Sequence, residues 1–296
     1  MPAEVIGLVA VAAVLHATWN VLLKTSGDPL LTAERAIVAS ALVFLPVGGI
    51  AYLVAGRPPI PPEALVLATI SGVLEVVYFV LLAAAYRRGD VSVVYPIARG
   101  SAPLMTVAIG VLVLGERLGP VAIGGVGLLF AGILAILRPW RVLSERRVSA
   151  DPAVAFAVAT GVSIAVYSAV DSVGAKTVPA WLYAWLFYPI GAVLLVAWAR
   201  FVDPRLGDGR VRGAPAPWGR ATLAGLFSLG GYVLILTAYS VAPLAIVSPL
   251  RESAIVLGSA YASFRMGEAS DLRDGLRRTA GAAIVVAGAV LVAVGA

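Results

Sequence analysis

The chain has 296 residues, of which 60% are hydrophobic and 13% charged, against the roughly 25% charged residues of an ordinary soluble domain. It has no cysteine and a single histidine, which excludes disulfides, thiol catalysis, thiolate metal sites and any multi-histidine metal centre. The net charge of +6 is spread over short loops between apolar runs rather than gathered on one basic face, which points to orientation in a bilayer and not to nucleic acid.

A helix rising 1.5 Å per residue needs about 20 apolar residues to cross a hydrocarbon core of about 30 Å. By that measure the sequence predicts an all-α integral membrane protein with ten spans. The first five lie at about 4–24, 34–54, 63–86, 91–114 and 119–137. The second five lie at about 153–174, 181–201, 219–240, 243–264 and 276–295. The leader Met1-Pro2-Ala3-Glu4 carries no lysine or arginine, so the first run is expected to remain a spanning helix rather than act as a signal peptide. Breakers separate the spans: Ser26-Gly27-Asp28-Pro29, Arg57-Pro58-Pro59, Arg87-Arg88-Gly89-Asp90 and the Pro/Arg/Gly-rich loop from Asp203 to Trp218. No stretch fits a soluble domain.

One unit occurs twice. The stretch from Ala85 to Gly119 has its counterpart from Ala238 to Glu268, and Tyr86 to Pro96 and Tyr239 to Pro249 are both ten residues. Small residues follow each proline at every fourth position, Ala102/Thr106/Gly110 and Ala254/Gly258/Ala262. This spacing lets helices approach closely. Gly115-Glu116 and Gly267-Glu268 close the two copies with a slip of one residue, and are expected to cap helices or anchor at the interface. Such repetition divides the chain into a first five-helix repeat, 1–140, a cytoplasmic linker, 141–152, and a second repeat, 153–296.

Among loop lysines and arginines, only Arg57, Arg117 and Lys176 fall in even-numbered loops. The excess in odd-numbered loops assigns those to the cytoplasm and both termini to the outside of a cell (inner) membrane. Five spans per repeat is an odd number, so the second repeat enters inverted. Inverted repeats are a transporter signature, with a site near the midplane between the halves.

The residues Trp19, Lys24, Arg35, Ala85-Tyr86, Pro96, Gly115-Glu116 and Ala131-Gly132 stand in that order in the first half. Ala238-Tyr239, Pro249, Gly267-Glu268 and Ala287-Gly288 follow in the second. Together they resemble the paired repeats of the drug/metabolite transporter superfamily, specifically its EamA-type members. Asn20 departs from the pattern, standing where such proteins often have glycine. The resemblance implies a ten-helix, inverted-repeat carrier of small metabolites, often amino acids and frequently outward.

Ionisable side chains within spans each cost several kcal/mol unless they face protein or water. Here they are His16, Glu75, Arg99, Asp171, Arg251 and Glu252. Glu75, Tyr78 and Leu82 share one helix face. Glu75 is read as a binding carboxylate, a proton carrier or a buried partner for Arg99. Arg99 follows Tyr95 and Pro96, where the helix is expected to break. It is read as a clamp for a substrate carboxylate or as the partner of Glu75 or Glu252. Pro249 and Ser248 form the matching break in the second half, and Glu252 sits at the position of Arg99. Arg251, about 100° away from Glu252 on a helix, either faces elsewhere or snorkels to an interface.

His16 and Asn20 share a face beside Trp19, as hydrogen-bonded packing or part of a relay. Asp171, four residues after Tyr167, is expected near a span end and partly solvated. The stripe Trp181/Trp185/Tyr188 and the pair Tyr232/Tyr239 fit interface aromatics. Trp185 and Tyr232 lie deeper and are expected to wall a cavity lined by spans one, three, four, six, eight and nine.

The resulting expectation is a secondary transporter working by alternating access, with no cofactor and no metal. Its substrate-binding residues are His16, Trp19, Asn20, Glu75, Tyr78, Tyr95, Arg99, Tyr167, Trp185, Tyr232, Ser248 and Glu252. Glu75, Glu252 and Asp171 are proton-coupling candidates, and Pro96 and Pro249 the hinges. Its partners are a small solute, most plausibly an amino acid for export, the lipid bilayer and protons, and the chain is expected to act as a monomer. Alternatives are carriage of sugar phosphates, nucleotide sugars or drugs, or, from other classes, a membrane-embedded transferase or a non-transporting scaffold. No G-x-x-x-x-G-K-[ST], H-E-x-x-H or G-x-S-x-G motif occurs, which speaks against nucleotide hydrolysis and against enzymes of the last two types.

Overall fold

The computed structural model of the chain describes residues 3–24, 28–88, 91–137, 152–205, 213–252 and 272–295. The described residues form ten α-helices and no strand. In the first half these are α1 (Ala3–Lys24), α2 (Pro29–Val54), α3 (Pro62–Arg88), α4 (Val91–Leu112) and α5 (Pro120–Leu137). The second half has α6 (Pro152–Gly174), α7 (Ala180–Ala197), α8 (Trp218–Val241), α9 (Leu244–Glu252) and α10 (Leu272–Gly295). A π-helical turn, Trp198–Val202, and a 3-10 turn, Asp203–Arg205, extend α7. The small-residue run through Ala254, Gly258 and Ala262, the Gly267-Glu268 pair and the linker from 141 to 151 lie outside the described residues.

Five helical stretches are long and apolar enough to cross a membrane: Leu30–Val54, Pro62–Arg88, Pro152–Gly174, Ala180–Arg205 and Trp218–Val241. Ala3–Trp19, Ile97–Leu112, Pro120–Ala135 and Ala280–Val292 are shorter apolar stretches. Large apolar side chains such as Val54, Leu112, Val193, Val241 and Val294 point outward around the bundle, as helices in hydrocarbon require.

The second helix starts earlier than hydropathy predicts. Asp28 is its N-cap, accepting from Leu31 N–H at 3.0 Å, and Pro29 occupies the first turn, where its missing N–H costs nothing. The Asp-Pro pair that reads as a loop breaker is thus a helix start. Nor do the prolines at 96 and 249 break their helices, since α4 and α9 run through them as helical backbone. Each proline still removes one N–H from the ladder and leaves a carbonyl one turn earlier without its usual donor.

The two halves are interleaved. α8 packs on α1 and α2, α6 on α3 and α4, α7 on α3 and α2, α9 on α4, and α10 on α5. The α5–α10 contact is close because glycines face each other. A Cβ on Gly125 would lie 2.9 Å from the Gly288 carbonyl oxygen, and one on Gly132 would lie 2.8 Å from that of Gly281. Gly132 and Gly288, landmarks of the repeat, therefore have a packing role.

The start of α2 and the end of α3 meet the segment that follows α7. There Arg87, ending α3, makes a two-pronged pair with Asp203 at 2.6 and 3.0 Å, with Asp28 at 3.7 Å. Glu34 of α2 accepts from Arg200 at 2.7 Å, and Arg35 donates to the Ala216 carbonyl at 2.8 Å. On the opposite face Glu116 reaches across the halves. Its carboxylate accepts from the N–H groups of Leu244 and Ala245 at 2.7 and 2.8 Å, capping α9. Gly115 enables this turn through φ = 68°, a backbone conformation that favours glycine.

Candidate functional site

Between the halves lies a cavity of about 50 Å³, room for a few waters. α1 supplies Ala12, His16 and Trp19, α2 supplies Ile37, and α3 supplies Glu75, Tyr78 and Phe79. Across from them stand Tyr167 of α6, Tyr188 of α7, Ser228, Gly231, Tyr232 and Ile235 of α8, and Arg251 of α9. The lining therefore includes α2 and α7, which the sequence reading left out, and among the described residues has none from α4, which it included.

The aromatic side chains form a continuous edge-on wall. Tyr78 meets Tyr167 at 5.8 Å between ring centres, Tyr167 meets Tyr232 at 6.1 Å, and Tyr232 meets Phe187 at 6.1 Å. Such tilted pairs are favoured by the ring quadrupoles. Tyr188 completes the wall, its hydroxyl 2.7 Å from that of Ser40 on α2. Ser40 in turn donates to the Ala36 carbonyl at 2.7 Å, so the ring is held through two helices.

Two carboxylates stand at this wall. Asp171 is fully buried, accepting from the Tyr183 hydroxyl at 3.1 Å and from that of Tyr232 on its other oxygen. The partial solvation expected from its position along α6 is not found, because α7 and α8 cover it. Glu75 lines the cavity and forms no hydrogen bond or ion pair among the described residues. It does not pair with Arg99.

Arg99, 5% exposed, instead reaches His16 Nε2 from α4, behind the cavity surface. Trp19, on the other side of His16, donates from Nε1 to Nδ1 at 3.0 Å. Arg251 is 3% exposed and faces the cavity, so it does not snorkel to an interface. The site thus presents a carboxylate and a guanidinium to one small aromatic-walled space.

Other predicted residues lie elsewhere. Trp185 is turned towards α2, stacked on Tyr52 at 5.9 Å and donating to the Leu45 carbonyl at 3.0 Å. It does not wall the cavity, whereas Tyr188, three residues on, does. Ser248 is buried and is not among the lining residues. The side chains of Asn20, Tyr95, Pro96 and Glu252 lie outside the described residues. Phe79, Tyr188, Ile37 and Ser228 are lining residues that sequence reading did not assign. Tyr188 had a signal, its place in the α7 aromatic stripe.

Residues 4–138 match the EamA-like transporter family. Over that stretch, just under half of the chain, the sequence is similar to the EamA-like transporter family. The matched stretch spans α1 to α5 and contributes His16, Trp19, Ile37, Glu75, Tyr78 and Phe79 to the cavity. No curated protein sequence matches the chain. Among solved structures, a crystal structure described only as that of a protein superposes over 100% of both chains with TM-score 0.74 at 19% identity, a likeness of fold. The match is to a transporter family, and five helical stretches are long and apolar enough to cross a membrane.

Proposed function

We propose that the protein is a secondary transporter of amino acids, working by alternating access of two inverted five-helix repeats. The observation that carries the substrate class is that Glu75 and Arg251 both line one aromatic-walled cavity. A zwitterion fits it, with an ammonium against Glu75, a carboxylate towards the arginines and an apolar side chain along Tyr78, Tyr167, Tyr188 and Tyr232. A half-buried carboxylate in mid-span with no partner among the described residues calls for a cation from outside, whether an ammonium or a proton, which makes Glu75 the binding and coupling group.

The helix contacts support the inverted repeat. Exchanging each helix of the first half with its counterpart five places on turns α1–α8 into α6–α3 and α2–α8 into α7–α3, and both pairs are in contact. The odd-numbered connections, rich in arginine, are assigned to the cytoplasm and the direction to export across the cell membrane. Pro96 and Pro249 remain the hinge candidates. Asp171, satisfied by two tyrosines, is assigned to the wall rather than to proton movement. The protein is not an enzyme.

The test is flux in proteoliposomes, using a labelled amino-acid panel with and without an imposed pH gradient. Uptake against the solute gradient driven by ΔpH, and lost in Glu75→Gln, is the expected outcome. Flux that only equilibrates would make the protein a uniporter. Silence across the whole panel would overturn the substrate class in favour of phosphorylated solutes or drugs.

A further inference from the structure

The hydroxyls of Ser40 and Tyr188 settle each other's protons. Ser40 Oγ lies 2.7 Å from the carbonyl oxygen of Ala36 and 3.2 Å from that of Ile37, one turn back on α2. The shorter contact has the length of a hydrogen bond, and a serine hydroxyl has one proton to give. That proton is committed to the backbone. Ser40 is fully buried, and a Cβ on Gly225 of α8 would lie 2.9 Å from its oxygen, so no water competes. The Tyr188 hydroxyl, 2.7 Å from Ser40 Oγ, is therefore the donor of the bond between them. A phenol that has given away its proton can only accept from whatever else it meets.

Tyr188 lines the cavity together with Glu75. Gly191 stands three residues after Tyr188, on the same face of α7. A Cβ there would lie 3.7 Å from Glu75 Oε2, so the carboxylate rests against α7 within a turn of the tyrosine. One charged and one neutral acceptor thus stand at the same edge of the space. We propose that Glu75 and the Tyr188 oxygen form an ammonium subsite requiring two N–H donors, with Ser40 as the positioning residue that keeps the tyrosine an acceptor. Charge alone would admit any cation, whereas the second acceptor makes the site count N–H groups. The subsite rests on the zwitterion reading for its ligand class. It adds that a primary or secondary ammonium is preferred and a more fully methylated one disfavoured.

The test is a methylation ladder. The full chain in nanodiscs is titrated calorimetrically with methyl-, dimethyl-, trimethyl- and tetramethylammonium chloride, and separately with sodium chloride. Each added methyl group removes one N–H from the cation. Dimethylammonium should bind about tenfold more tightly than trimethylammonium, which lacks the N–H for the second acceptor. Tyr188→Phe keeps the ring and removes the oxygen, so that step should vanish. Ser40→Ala frees the tyrosine proton to turn towards Glu75, and should shrink the same step to about threefold.

The ladder on unmutated protein needs no variant to fold. Equal affinity for dimethyl- and trimethylammonium would overturn the second acceptor, as would a step of wild-type size in Tyr188→Phe. A step of wild-type size in Ser40→Ala would overturn the positioning role. No binding by any of the four, or tighter binding of sodium than of methylammonium, would overturn the ammonium class. The step without amino-acid flux sinks the transport reading alone, and flux without the step sinks the subsite alone.

Discussion

Glu75 and Asp171 sit at the same aromatic wall and are treated by the fold in opposite ways. Asp171 is fully buried and receives two tyrosine hydroxyls, one of them from Tyr232, whose ring faces the cavity. Glu75 opens onto the cavity with no hydrogen bond or ion pair among the described residues. A satisfied carboxylate has its counterpart inside the protein and stabilises the wall. An unsatisfied one leaves its stabilisation to whatever enters. The difference separates a structural acid from a binding acid although both are acids in mid-span, which is all that hydropathy can see.

That contrast can be broken at either end. Glu75→Gln should lower substrate binding by about 3 kcal/mol, roughly a hundredfold, while the thermal melt of the purified protein stays where it was. A large fall in melting temperature with flux retained would reverse the assignment. Asp171→Leu orphans two hydroxyls at about 1–3 kcal/mol each, so the melt should drop steeply, and Asp171→Asn should recover most of it by keeping an acceptor oxygen. If Asp171→Asn melts normally yet abolishes flux, Asp171 belongs to the transport cycle after all.

Two further variants sharpen the comparison by losing stability away from the cavity. Gly288→Leu forces a side chain against Leu129 and the Gly125 carbonyl, and should cost about 1–3 kcal/mol or more in the melt with unchanged substrate affinity in the surviving protein. Arg87→Ala takes the guanidinium from the Asp203 and Asp28 carboxylates, whose side chains are 8% and 4% exposed, and should lower stability by about 3 kcal/mol with substrate affinity unchanged. Altered affinity in Gly288→Leu would mean that the α5–α10 contact reaches the cavity.

Much of the architecture was legible because the bilayer imposes length and apolarity on every span, and the breakers at Pro58-Pro59 and around Gly89 mark the ends. Glu75, Tyr78, Tyr167, His16 and Tyr232 could be picked out because polar atoms inside apolar runs are costly enough to need a reason. Helix rotation was not legible. Trp185 and Tyr188 share a stripe on α7, yet the first packs on Tyr52 and the second lines the cavity, since only the neighbour against each face decides. Arg251 reads as a candidate for snorkelling until α9 is known to be covered by α4. Glu34, 4% exposed, drew no notice near a loop, because its partner Arg200 lies 166 positions away in sequence.

The interleaving of the halves has a consequence for how the protein is made. Each of the main helix pairs named above joins a helix from before residue 138 to one from after 151. A ribosome delivers the first five helices well before the second five, so α1, α3 and α5 must wait in lipid with their glycine and tyrosine faces uncovered. Synthesis is then the stage at which the chain is most exposed to quality control. Slowing translation between the halves should lengthen that exposure and lower yield, whereas the two halves made separately but at the same time should still find each other.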